Sequence, residues 1–90
     1  MLLTKLLLGR VVATPAVLER IEHDDLIMAL TRHANRDWGD VGPDDWKAND
    51  EALESDARVL SSFRARDGTR FWIITEADRS VTTVLLPEEY

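Results

Sequence analysis

Apolar residues follow more than one rhythm along this chain. Leu6 to Ala13 is a mostly apolar run ending in Val11-Val12-Ala13, which predicts a strand. Thr14-Pro15 then supplies a helix cap and a first-turn proline, whose missing N–H costs nothing there. Val17, Leu18 and Ile21 predict a short helix from Pro15 to about Glu22, and His23 breaks that pattern. Leu26, Ile27 and Leu30, with Met28 at the edge, predict a second helix from Leu26 to about Ala34, capped by Asp24 or Asp25. Gly39 and Gly42-Pro43 mark Arg36 to Pro43 as a loop. A third helix is expected from Asp44 to about Glu54, where Trp46, Asn49 and Leu53 share a face with Ala52 beside it.

From Arg58 the period shortens towards two. Arg58 to Arg66 and Thr69 to Glu76 flank Asp67-Gly68, a strong hairpin signal, because a two-residue type I′ turn needs positive φ at both central positions. Such a turn pairs Arg66 with Thr69, Phe63 with Trp72 and Ser61 with Ile74. One face then carries Val59, Phe63, Ala65, Trp72 and Ile74; the other carries Leu60, Phe71 and Ile73 among polar residues. The second strand of the pair is apolar on both faces, as a central strand would be. Ser80 to Leu86 reads as a further strand, ended by Pro87. The expected order is β-α-α-α-β-β-β: an α+β domain with three short helices packed on a three- to four-stranded, mostly antiparallel sheet. Ninety residues fit one domain, 1–90, with a core small enough that dimerisation would add useful stability.

Charge changes this picture more than composition does. The formal net charge is −6, but it is not spread evenly. Asp37, Asp40, Asp44, Asp45, Asp50, Glu51, Glu54 and Asp56 face only Lys47, so residues 37–56 carry −7 and the rest sums to +1. Arg58, Arg64, Arg66, Arg70 and Arg79 make the following strands mildly basic. Helix capping accounts for some of these acids, Asp44 and Asp45 above all, since the helix dipole favours negative charge there. The functional reading is an acidic surface that docks on a basic groove, with Asp37, Asp40, Asp44, Asp45, Asp50, Glu51 and Glu54 as contacts and Trp46 as an apolar anchor. The pI of about 4.7 argues against direct binding of nucleic acid by phosphate neutralisation.

Catalytic and metal chemistry find little support in the residues. The absence of cysteine removes disulfides, thiolate metal sites and thiol nucleophiles. His33, Asp37, Asp40 and Asp45 lack any recognised ligand spacing, and no cofactor or metal is expected. Glu76, Asp78, Arg79, Ser80 and Thr82 form a second polar cluster, which a turn with local side-chain bonds explains as well as a general base and an anion holder would. The enzymatic alternative is a small hydrolase or nuclease using His33, Asp37 and Glu76. A third reading is a structural or regulatory homodimer through an edge strand. The opening Met1–Arg10 has the look of a secretory leader, but Lys5 and Arg10 leave no uncharged stretch of the roughly 7 residues that a short one requires. No apolar run approaches the roughly 20 residues of a membrane span, and a cytoplasmic location is expected.

Several blocks carry a family likeness. They are Leu8-Gly9-Arg10-Val11-Val12-Ala13-Thr14-Pro15, His33-Ala34-Asn35-Arg36-Asp37-Trp38-Gly39, the pair Asn49-Asp50, and the ending from Trp72 to Tyr90. In these the chain resembles the short plasmid-related proteins of bacterial plasmids and integrative mobile elements. The resemblance implies residence on mobile DNA, in company with defence and anti-defence genes, and supplies no catalytic residues. In size and charge the chain is also similar to anti-CRISPR and anti-restriction proteins. The leading expectation is therefore a non-enzymatic inhibitor of a CRISPR surveillance complex or restriction system.

Overall fold

The computed structural model describes residues 5–90, so Met1–Thr4 at the head of the leader-like stretch lie outside the described residues. The elements are β1 (Arg10–Ala13), α1 (Pro15–Arg20), α2 (His23–Ala34), α3 (Pro43–Ser55), β2 (Val59–Arg64), β3 (Arg70–Thr75) and β4 (Val81–Leu85), with a final 3-10 turn at Pro87–Glu89. The α+β order expected from the sequence is the order found. The four strands form one sheet, β1-β4-β3-β2, antiparallel except where β1 runs parallel to β4. No helix among the described residues is long and apolar enough to cross a membrane.

Local signals set most boundaries. The Thr14 hydroxyl accepts from the Val17 N–H, and Pro15 opens α1. His23 does not break a helix but begins one: α2 starts there, with Glu22 rather than Asp24 or Asp25 as its cap residue. Asp25 is engaged elsewhere, accepting from the Arg66 N–H and pairing with the Arg66 guanidinium, which ties the β2–β3 turn to α2. β1 is shorter than the apolar run before it, because Gly9 turns the chain at φ +63. A Cβ at Gly9 would lie 2.4 Å from the Arg79 carbonyl oxygen, so only glycine allows this approach.

The hairpin register differs from the expected one by one residue. Ala65 and Thr69 close the loop, Arg66-Asp67-Gly68 form it, and Phe63 pairs with Phe71. Gly68 at φ +91 alone takes the left-handed position, as in a three-residue loop with a bulge. The Asp67 carboxylate accepts from the Thr69 N–H and stabilises this turn over the two-residue one. Because side chains alternate, a shift of one residue moves the whole of β3 to the opposite face. Phe71 and Ile73, not Trp72 and Ile74, join Val59, Ser61 and Phe63 beneath the helices.

That face carries the main core: Val17, Ile21, Leu26, Ala29, Phe63, Phe71, Ile73, Val84 and Leu86. A second cluster of Leu6, Trp38, Ala52 and Val59 lies under α3, with Trp46 and Leu53 packed against it. The free edge of β2 is closed twice. Gly39 bridges Ser62 in parallel, and the Asn49 side chain donates to the Leu60 carbonyl while accepting from its N–H. Asn49→Ala is expected to lower stability in urea denaturation by about 1–3 kcal/mol, since both Leu60 groups lose a buried partner. A loss under about 0.5 kcal/mol would mean water replaces the clamp without cost.

Candidate functional site

The acids of residues 37–56 do not share one environment. Asp37 pairs with Arg32 at 2.8 Å and accepts from the Gly39 N–H, and the Arg32 hydrogen bond foremost holds its carboxyl below the ordinary range. Asp40 faces Arg64 at 3.5 Å and Arg70 at 3.4 Å on the neighbouring strands. Asp50 accepts the Trp38 indole N–H at 2.9 Å. Asp56, with φ +54, ends α3 in the left-handed conformation common at helix C-termini. Five predicted contacts remain on α3: Asp44, Asp45, Asp50, Glu51 and Glu54 are exposed, and none has an ion pair among the described residues. Trp46 is half-buried against the second cluster, with only part of its surface open to an outside contact.

Beside Glu54 lies a cleft of about 370 Å³ lined by Lys5, Leu6, Leu7, Arg36, Leu53, Glu54, Asp56 and Arg79. Leu7 is 72% exposed at its rim. Arg79 is fixed there by backbone carbonyls: its guanidinium donates to Ala57 at 2.7 Å and to Ala52 at 3.1 Å, placing a cation at the negative end of α3. The Asp78 carboxylate accepts from both the Ser80 hydroxyl and its N–H, so the Asp78–Ser80 part of the second polar cluster is a turn held by local bonds, while Arg79 and Thr82 bond to distant segments.

His33, Asp37 and Glu76 share no hydrogen bond or ion pair among the described residues. His33 instead heads a buried chain of hydroxyls. Its Nδ1 lies 2.5 Å from Ser61 Oγ and its Nε2 lies 2.8 Å from Thr75 Oγ1. Thr75 Oγ1 is 2.7 Å from Thr82 Oγ1, which is 2.7 Å from the Leu8 carbonyl oxygen. A carbonyl only accepts, so Thr82 donates to Leu8, Thr75 donates to Thr82, and His33 donates from Nε2. Nδ1 is then an acceptor, and the Ser61 hydroxyl donates to it. The ring is the neutral Nε2–H tautomer, and burial, with the Arg79 charge second, lowers its pKa to about 4.

A serine hydroxyl donating to an imidazole is the pairing of a nucleophile and its base. Here His33 and Ser61 are both 0% exposed, and a ring of such low basicity is a weak base at neutral pH. The chain of bonds instead fastens α2 to the middle of the sheet and the sheet to the segment before β1. Sequence periodicity missed it, although its signal is present: Ser61, Thr75 and Thr82 are the polar residues at core-facing strand positions once the register is corrected. Among the described residues no group of three His, Asp or Glu side chains is placed to hold a metal ion. Comparison with protein-family models, with curated proteins and with solved structures finds no match.

Proposed function

We propose that this protein is a non-enzymatic inhibitor of a nucleic-acid-binding defence complex, docking the exposed acids of α3 on that complex's basic surface. One observation carries the reading: Asp44, Asp45, Asp50, Glu51 and Glu54 stand exposed on one helix without ion pairs among the described residues, while Asp37 and Asp40 are paired with arginines. The resemblance to plasmid-related proteins supports the class of partner, a CRISPR surveillance complex or a restriction enzyme.

Magnitudes narrow how such docking works. Asp44 to Glu54 spans about 15 Å of helix, and a duplex carries about one charge per 1.7 Å, so its five carboxylates give only a little over half that density. Lys47 sits among them and lowers the local field further. The acids therefore steer and orient the encounter, and the apolar rim at Leu7 and Leu53 supplies contact that does not depend on salt.

The test is competition for DNA binding by the purified complex. Replacing Asp44, Asp45 and Glu51 together by Lys is expected to weaken inhibition at least about tenfold, with far-UV circular dichroism unchanged. Raising the salt concentration is expected to weaken wild-type inhibition in the same direction. Full inhibition by the folded triple variant would overturn the assignment of these acids.

A further inference from the structure

We infer that the outer edge of β1 is a self-complementary surface, and that two copies of this chain pair antiparallel through it about a two-fold axis at Val12. This is independent of the function proposed above. The two edges of the sheet are treated differently. β2 is closed by the Gly39 bridge and the Asn49 clamp, whereas β1 follows β4 and ends the sheet with nothing paired beyond it among the described residues. The Arg10 and Thr14 N–H groups donate inward, to the Ser80 and Val84 carbonyls. Alternation along a strand then points the N–H and C=O of Val11 and Ala13 outward.

Those outward groups specify one register. A two-fold axis at Val12 sets Val11 of one copy opposite Ala13 of its partner, so each such pair exchanges two hydrogen bonds and the interface makes four. An axis at Val11 would need Gly9 to extend the strand, and Gly9 is turned at φ +63. In the favoured register Arg10 lies directly opposite the partner's Thr14, at the close spacing of a non-hydrogen-bonded pair.

Charge agrees with this pairing. Arg10 is exposed and has no ion pair among the described residues. The Thr14 hydroxyl donates to Oε1 of Glu89 at 2.8 Å, and Leu86 N–H donates to the same oxygen at 2.9 Å. Oε2 of Glu89 is therefore left to accept from the partner's Arg10, and symmetry makes the contact twice. Val11, 44% exposed, and Leu18, 62% exposed, add apolar surface beside the seam. The product is an eight-stranded sheet, formed in a chain whose small core leaves dimerisation something to contribute.

Sedimentation equilibrium over a concentration series tests this. The wild type is expected to approach twice 10.2 kDa. Val11→Pro removes an outward N–H and leaves the inward ladder intact, so it is expected to raise the dimer Kd at least about tenfold with the monomer still folded. Arg10→Glu is expected to dissociate the dimer by setting like charges together, and Arg10→Glu with Glu89→Arg is expected to restore it. A monomer at all concentrations, an unchanged Kd in Val11→Pro, or no rescue by the charge exchange would each overturn the inference.

Discussion

Between pH 6.5 and about 4 the domain is expected to lose about 3 kcal/mol of stability through His33 alone. The folded pKa is depressed below the unfolded value of 6.5, so the unfolded chain binds the extra proton first. The stabilisation is complete above 6.5, declines as pH falls, and is gone at about 4. Physically, the proton would have to enter at Nδ1, where the Ser61 hydroxyl donates, and would place a charge where the ring is wholly buried. The carboxylates overlap only the lower end of this window. Asp37, Asp67, Asp78 and Glu89 all have lowered pKa values, so the stability they contribute begins to fall as pH approaches the ordinary carboxylate values and goes on falling below them.

Urea denaturation at intervals across that range, with the His33 ring followed by NMR, gives the measurement. A flat profile, or a ring titrating near 6.5, would remove the buried relay from the account. His33→Leu supplies the control. It is expected to be less stable at neutral pH by about 1–3 kcal/mol, because Ser61 loses its acceptor, and to show little of the slope between 6.5 and 4.

Replacing Trp38 by Ala is expected to cost about 3–5 kcal/mol, the largest loss from any single truncation in the second cluster. Trp38 is fully buried, packs edge-on to His33 with ring centres 5.6 Å apart, and donates its indole N–H to Asp50. Its backbone carbonyl also accepts from Ser62 N–H, where the chain closes the edge of β2. The loss compares with a total of about 5–15 kcal/mol for a typical domain, and a chain this small belongs at the lower end. The variant should therefore be partly unfolded at room temperature, visible as a shallow or absent unfolding transition. Trp38→Phe keeps most of the volume but frees Asp50, and a smaller loss is expected. A loss below about 1 kcal/mol in Trp38→Ala would show that this cluster collapses around the gap.

The acidic segment shows how far a charge count reaches. A density of acids at residues 37–56 is visible in the sequence, and it directs attention to α3. What a count cannot contain is the partner of each acid. Asp40 is paired with arginines of β2 and β3, and Asp50 accepts a hydrogen bond from the neutral indole of a tryptophan in the preceding loop. The candidate surface shrinks to the five acids of α3 for that reason, and the charge-reversal experiment is aimed at three of them.

By itself the sequence determined the elements and their order. Thr14-Pro15, the helical spacing in α2 and α3, and the strand pattern after Arg58 are local signals, set by caps, φ preferences and periodicity over a few residues. It also determined that apolar residues of β3 occupy both faces, hence a central strand. Tertiary structure alone decided the rest. Asp67-Gly68 admits two loop lengths, and the choice fixed which residues of β3 lie beneath the helices. The parallel seat of β1 beside β4, the hydroxyl chain from Ser61 to Leu8, and the division of the acids between ion pairs and open surface all join residues far apart in the chain. Such contacts depend on register and packing, which no local run of residues encodes.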